Sequence, residues 1–251
     1  MTGIEVRRAF ARAAGSYDKA ADFQREAALY LLSGIAPGWQ PRQLLDVGCG
    51  TGHGSGLLRA HWPGVDALLL DFALPMLIAQ GQGRRVCADA ERLPLQDACV
   101  DFYWSNLTMQ WCDAPRFVAE AARVLRPSGR LALSTLGPAT FGEVRQAFGA
   151  VDGYRHTLDF ADEPALRAAF AAAGLRLTRL ERVNLTRHFP ALQGLLSSVR
   201  ELGANRVTGG NRRPGLMGKA AWRRFVESYE QMRSEHGLPL SYDTFLIHAE
   251  K

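Results

Sequence analysis

Asp46 stands two residues ahead of the first of three glycines at alternate positions, Gly48, Gly50 and Gly52. A short apolar run leads into the acid, and a helical pattern carrying Leu57, Leu58, His61 and Trp62 follows the glycines. Glycine lets a backbone turn left-handed and approach a ligand closely. Strand, glycine turn and helix form the opening of a nucleotide-binding α/β domain, although G-x-G-x-G differs from the dinucleotide spacing G-x-G-x-x-G. Two further acids end short apolar runs: Asp71 after 65–70 and Asp89 after 85–88. An acid about 20 residues past such a turn can accept hydrogen bonds from ribose hydroxyls. Three carboxylates at three successive strand ends would share one rim, because ligands of open α/β sheets bind beyond the carboxyl ends of the strands.

The elements that must position this rim are legible from periodicity. Strands are expected at 43–47, 65–70, 84–88, 99–104 (running out at Ser105-Asn106) and 130–135. A helix should start at Asp113 as N-cap, with Pro115 in its first turn and Phe117, Val118, Ala121, Ala122, Val124 and Leu125 on its apolar face. Ahead of the first strand, 5–14 reads as a helix. A second helix reaches about residue 32, with Ala21, Gln24, Arg25, Ala28 and Leu32 along one side. The break between them holds Tyr17. From its residues alone, the plainer reading of Tyr17 is a ring packed on the core with its hydroxyl in water. After Leu136 the pattern loosens. Helices are expected at 141–151 and 163–173, stopped by Gly174, then a strand at 175–188 and a helix at 190–202. A basic, glycine-rich loop at 209–215, a helix marked by Trp222, Phe225, Tyr229 and Met232, and a last strand at 242–249 complete the chain.

The composition is that of a globular protein: of 251 residues, 47% are hydrophobic and 22% charged, ordinary values for a packed domain. No window approaches the ~20 apolar residues of a membrane span, and residues 1–14 lack the apolar centre of a signal peptide. The four cysteines, Cys49, Cys87, Cys99 and Cys112, have no CxxC spacing and read as buried, reduced thiols. The six histidines show no ligand spacing, so no metal is expected. A net charge of +5 is compatible with an acidic partner or an anionic substrate. A nucleic-acid role would call for a base pocket, an added RNA-binding domain or a long basic run, and none is visible.

The glycine loop and its three acids resemble the class I S-adenosylmethionine (SAM) methyltransferases. The resemblance implies a Rossmann-like, mostly parallel seven-stranded sheet flanked by helices, with N-terminal lid helices (1–36), a SAM-binding core (37–136) and a C-terminal part (137–251) carrying a helical insertion. It further implies that Asp46 with Gly48, Gly50 and Gly52 holds the methionine part and Asp71 the ribose. Asp89 with Ala90 would contact the adenine, and Phe72 and Met76 would flank it. Asn106 falls at the cofactor's methionine end.

Flanking stretches narrow the resemblance. Phe10, Ala13-Ala14-x-Ser16-Tyr17-Asp18, Gln24, Ser105-Asn106-Leu107-x-x-Gln110-Trp111-Cys112, Leu202-Gly203-Ala204-Asn205 and Leu238-Pro239-Leu240-Ser241-Tyr242 occur in this order. Together they resemble the malonyl-[acyl-carrier protein] O-methyltransferases of biotin synthesis. That family methylates the free carboxylate of a malonyl thioester, with S-adenosylhomocysteine (SAH) as second product. The implied acceptor is malonyl-acyl-carrier protein or malonyl-CoA, in the cytoplasm, with no nucleic acid and no membrane as partner. A small-molecule carboxylate or quinone-like compound is the alternative acceptor. Such a reaction needs placement more than acid–base chemistry, since a carboxylate is already ionised near pH 7. Tyr17 is then the catalytic candidate, through a hydrogen bond to that carboxylate. Gln110 and Trp111 would wall the same pocket, Trp111 being as readily plain core. Arg200 would bind the malonyl or phosphopantetheine end, against the plain reading of a solvated helix face. Arg206, Arg212, Arg213, Lys219, Arg223 and Arg224 would offer a positive face to an acidic carrier.

Overall fold

The computed structural model describes residues 3–15, 17–80, 83–201, 215 and 217–251. One seven-stranded sheet organises them, in the order β3-β2-β1-β4-β5-β7-β6. Its strands are β1 (Gln43–Val47), β2 (Asp66–Asp71), β3 (Arg84–Cys87), β4 (Val100–Asn106), β5 (Leu125–Leu136), β6 (Arg176–Phe189) and β7 (Leu238–Glu250). The first five are parallel; β7 runs antiparallel to both β5 and β6. Parallel strands covered by helices on both faces need continuous apolar runs, and β1 and β4 are accordingly buried along most of their lengths.

The chain steps from β1 to β2 on one side and later to β4 on the other, so the strand order reverses at β1. A crevice opens at such a reversal beyond the carboxyl ends, between Val47 and Asn106. Helices α4 (His53–His61), α5 (Leu74–Ala79) and α6 (Ala114–Val124) connect the parallel strands. Ahead of the sheet lie α1 (Gly3–Ala13), α2 (Tyr17–Ala20) and α3 (Asp22–Ser33). Helices α7 (Gly142–Gly149) and α8 (Glu163–Ala172) precede β6, and α9 (Leu192–Glu201) and α10 (Lys219–Glu230) precede β7.

The start of α6 follows its capping chemistry: Asp113 accepts the Arg116 N–H at 3.0 Å, Pro115 sits in the first turn, and all six apolar positions expected to face the core are buried. Among the expectations that change, two concern which side chains are buried. The buried side of α3 is Phe23, Ala27, Ala28 and Leu31, a stripe rotated from the one read in the sequence. Phe23 stacks on Tyr242 of β7 at 3.9 Å and fixes that rotation, leaving Gln24 and Arg25 turned toward the glycine loop. The four cysteines are free, yet only Cys49 is buried; Cys99 and Cys112 are half-buried and Cys87 is exposed. Cys87 ends β3, an edge strand with little covering its face.

The segment 91–97, which follows Asp89, is pinned from α6. Arg123 donates to the carbonyls of Leu93 (3.0 Å) and Leu95 (2.7 Å) and to Asp97 and Glu120, while Glu120 accepts the Leu93 N–H at 2.6 Å. Removing the guanidinium with Arg123→Met leaves two carbonyls without donors. Losses of this kind cost about 1–3 kcal/mol, and each kcal/mol is worth about 2–4 °C in a chain of this size. A fall of about 2–12 °C in Tm is expected by scanning calorimetry.

Candidate functional site

The turn after β1 is built on left-handed backbone. Gly48 (φ 72°), Gly50 (φ 53°) and Gly52 (φ 96°) all lie where side chains are disfavoured. At Gly48 an added Cβ would also overlap the Thr108 hydroxyl. At Gly50 it would meet only Tyr17, at 3.8 Å. Gly52 caps α4 and is not in the lining of the crevice chambers; a Cβ there would strike Gln80. Its part is to start the helix, whereas Gly48 and Gly50 face the crevice. Gly48→Ala combines left-handed strain with the Thr108 clash, each costing of order 1–2 kcal/mol. SAH affinity should fall about 10-fold or more by titration calorimetry, with a lower Tm.

Three adjoining chambers occupy the crevice. The largest is lined by Gly48, Gly50, Asp71, Phe72, Met76, Asp89, Ala90, Asn106 and Trp111, with Phe10 of α1 across the opening. The second, at the start of α4, is lined by Asp46, Gln24, Arg25, His53, Gly54 and Trp104. The third is bounded by Phe10, Phe23, Gln24, Leu107, Gln110, Trp111, Leu136, Phe141 and Tyr242. Tyr17 lines all three.

Asp71 is buried, and its oxygens accept the N–H groups of Gly50 (3.0 Å) and Ala73 (2.8 Å). These bonds oppose, without cancelling, the burial that raises its pKa. A carboxylate oxygen has two acceptor sites, so the group can still receive hydroxyls from the first chamber. Asp89 is exposed at the rim, where it accepts the Glu91 N–H; Ala90 and Met76 are buried beside it. Asn106 donates to the Gln24 carbonyl at 2.9 Å and accepts from Ser134 at 2.7 Å, tying α3 to β4 and β5.

Asp46 is fully enclosed, with one hydrogen bond from Ser55 at 2.7 Å. Burial pushes its pKa up to about 7. Around it two buried polar atoms have no protein partner, Trp104 Nε1 and Gln24 Oε1. A buried polar group without a partner is costly, so this chamber is shaped for a ligand with both charged and hydrogen-bonding ends. An amino acid moiety suits it: Asp46 and Gln24 accept from an ammonium while Trp104 donates. The nucleoside end then matches the first chamber, with an acid over the ribose position and apolar walls for a base. The residues present fit SAM.

The third chamber is aromatic. Phe10 meets Trp111 edge-on at 5.6 Å, and Phe141 meets Tyr242 at 5.3 Å. Gln110 is turned back on its own loop, donating to the Leu107 carbonyl at 2.7 Å. Tyr17 has its pKa pushed up to about 12 by burial and by Asp71. Its hydroxyl therefore stays protonated and able to donate throughout the neutral range. Arg200 lies in α9, but its side chain is outside the described residues, as are Arg206, Arg212, Arg213 and the Leu202–Asn205 stretch. Lys219, Arg223 and Arg224 are exposed on α10, and Arg223 faces Glu227 at 3.8 Å. Sequence reasoning missed Trp104, Thr108, Phe23 and Phe141. Tryptophan on an apolar strand reads as core, and the other three depend on chain segments meeting from far apart.

The sheet order and the three-chambered crevice define a class I SAM-dependent methyltransferase. A methyltransferase-domain family description matches residues 45–133. Solved structures agree on the fold: the YcgJ protein of Bacillus subtilis (20% identical, TM-score 0.61, covering 90% of this chain and 98% of that one) and, in complex with SAH, geranyl diphosphate C-methyltransferase of Streptomyces coelicolor (16% identical, TM-score 0.52, covering 89% and 77%). Sequence relatives are more specific. Malonyl-[acyl-carrier protein] O-methyltransferases of Dechloromonas aromatica (40% identical, covering 98% of this chain and 94% of that protein) and Herminiimonas arsenicoxydans (41%, covering 96% and 94%) align nearly end to end. The chain also matches 49% of a biotin biosynthesis bifunctional protein of Cellvibrio japonicus at 36% identity. The chain belongs to the malonyl-[acyl-carrier protein] O-methyltransferase family.

Proposed function

We propose that this chain transfers a methyl group from SAM to the free carboxylate of malonyl-acyl-carrier protein, giving the methyl ester and SAH. The observation that carries the reading is Tyr17, whose side chain borders the cofactor chambers and the aromatic chamber alike. When bound, SAM supplies a methyl group on a positively charged sulfur, which leaves without acid assistance.

The chain's own residues bind and align. Asp46, with Gln24 and Trp104, holds the amino acid end; Gly48 and Gly50 let the backbone close on it; Asp71 takes the ribose hydroxyls. Asp89 and Ala90 meet the adenine between Phe72 and Met76, and Asn106 fixes the wall beside the methionine end. The acceptor enters the aromatic chamber beside Trp111 and Gln110, with Arg200 meeting its polar far end. Tyr17 donates a hydrogen bond to one carboxylate oxygen and leaves the other free to react. A neutral donor suits this task, since a tight ion pair on the reacting oxygen would weaken its nucleophilicity. Aromatic walls strip water from the carboxylate, and alignment of reacting atoms within about 3–3.5 Å supplies most of the acceleration. No general base is needed for a group already ionised at pH 7. The reading places the enzyme in the cytoplasm, with a carrier protein as macromolecular partner; among the described residues no helix is long and apolar enough to cross a membrane.

Intact-mass analysis of malonyl-carrier protein after incubation with SAM tests this. A gain of one methylene, lost on mild ester hydrolysis, is expected. Methylation of free small acids with none on either malonyl thioester would move the acceptor to that class and leave the fold standing.

A further inference from the structure

Two sets of arginines among the described residues differ in electrostatic character. The edge strand β6 carries Arg176, Arg179, Arg182 and Arg187, and each is paired: with Glu250, Glu181, Asp243 and Glu26 respectively. That face is self-neutralised, which suits an edge strand that must not recruit another chain. Helix α1 is different. Val6 is buried and Phe10 closes the crevice, while Arg7, Arg8 and Arg12 are exposed. Arg8 and Arg12 stand one turn apart on the side away from Val6 and Phe10. Among the described residues none of the three has an ion pair or a hydrogen bond from its side chain. Arg7, Arg8 and Arg12 put three like charges within six residues of one 11-residue helix, where like charges one turn apart repel slightly.

We propose that the outer face of α1 is a docking surface for the acidic carrier protein, placing the carrier directly over the helix that roofs the aromatic chamber. This rests on the reading of the acceptor as a malonyl thioester and adds the surface that receives its carrier. The geometry is economical: Phe10, on the opposite side of the same helix, borders both the cofactor chamber and the aromatic chamber. A carrier held on α1 therefore delivers its acyl arm around a single helix to the Tyr17 hydroxyl. Unpaired surface charge steers association and sets salt dependence more than it adds contact energy.

The test compares three acceptors, malonyl-carrier protein, malonyl-CoA and malonyl-N-acetylcysteamine, on the wild type, the triple variants Arg7→Gln/Arg8→Gln/Arg12→Gln and Arg7→Glu/Arg8→Glu/Arg12→Glu, and the β6 control Arg176→Gln/Arg179→Gln. For carrier protein, KM should rise about 10-fold in the charge reversal and less in the neutral triple, with kcat retained and salt dependence flattened. KM for the two small thioesters, SAH affinity and the β6 control should stay at wild-type values. An equal loss on all three acceptors would mean a damaged roof and overturn the proposal. So would unchanged carrier kinetics. Loss on malonyl-CoA matching that on carrier, with N-acetylcysteamine spared, would assign the arginines to the phosphopantetheine phosphate that both acceptors carry and overturn the carrier surface. A wild type inactive on all three acceptors would instead remove the malonyl reading itself.

Discussion

Tyr17→Phe should lower kcat on malonyl-carrier protein by about 10- to 150-fold while changing SAH affinity by less than about 3-fold. The range follows from a hydrogen bond to a charged group, worth about 1.5–3 kcal/mol, at about 1.4 kcal/mol per tenfold in rate. The split between the two readouts follows from geometry. Phenylalanine keeps the ring that meets Phe10 at 6.3 Å and closes the chambers, and it removes only the donor. The hydroxyl is held neutral, with its pKa near 12, so the wild-type profile between about pH 6 and 9 should carry no step from this residue. Stopped assays with saturating SAM give kcat, and calorimetry gives the affinity. Unchanged turnover would remove Tyr17 from the mechanism. A fall in SAH affinity as large as the fall in kcat would make it a cofactor wall only.

Much of this site was legible because its chemistry is local. The glycine spacing and the acids at successive strand ends are short-range patterns, and the structure puts Gly48, Gly50, Asp71 and Asp89 around one chamber. Strand β1 occupies 43–47 as read, and α6 begins at its Asp113 cap. What the sequence left open depends on distant partners. The rotation of α3 is decided by Phe23 against Tyr242, more than two hundred residues apart, and helical periodicity alone offers two candidate stripes. The chamber floor is decided likewise: Phe141 takes a left-handed conformation (φ 60°) ahead of α7, held by the Ser241 carbonyl of β7, where periodicity had placed it inside the helix. The C-terminal half also adds the antiparallel strand β7, whose Tyr242 joins the wall. A parallel nucleotide-binding core thus gains its aromatic chamber from elements whose local patterns say little about where they pack.

The largest effect on cofactor affinity should come from Asp46, and it should be coupled to protons. Burial holds its carboxyl proton up to about pH 7, against an ordinary value of 3.8. The ligand-free folded state thus binds the proton more tightly than the unfolded chain. On this group's account stability is fully present below about pH 4 and declines as pH rises through 7, by an amount of order 4 kcal/mol. An ammonium in the chamber reverses the preference, because only the anion pairs with it. Binding SAH at pH 7 should then release about half a proton, and affinity should rise from pH 5.5 to 7 and level off above. Calorimetry in two buffers of different ionisation enthalpy reads the released proton directly. Asp46→Asn keeps the shape and the Ser55 contact but loses the charge. Truncating one partner of a buried charged pair costs about 2–5 kcal/mol, so affinity should fall between about 30-fold and several thousand-fold, with the proton release abolished. Wild-type affinity independent of pH from 5.5 to 8 would mean that Asp46 is ionised before the ligand arrives. The charge would then be balanced by a cation of the chain itself, and Arg59 is the one that already favours the Asp46 anion.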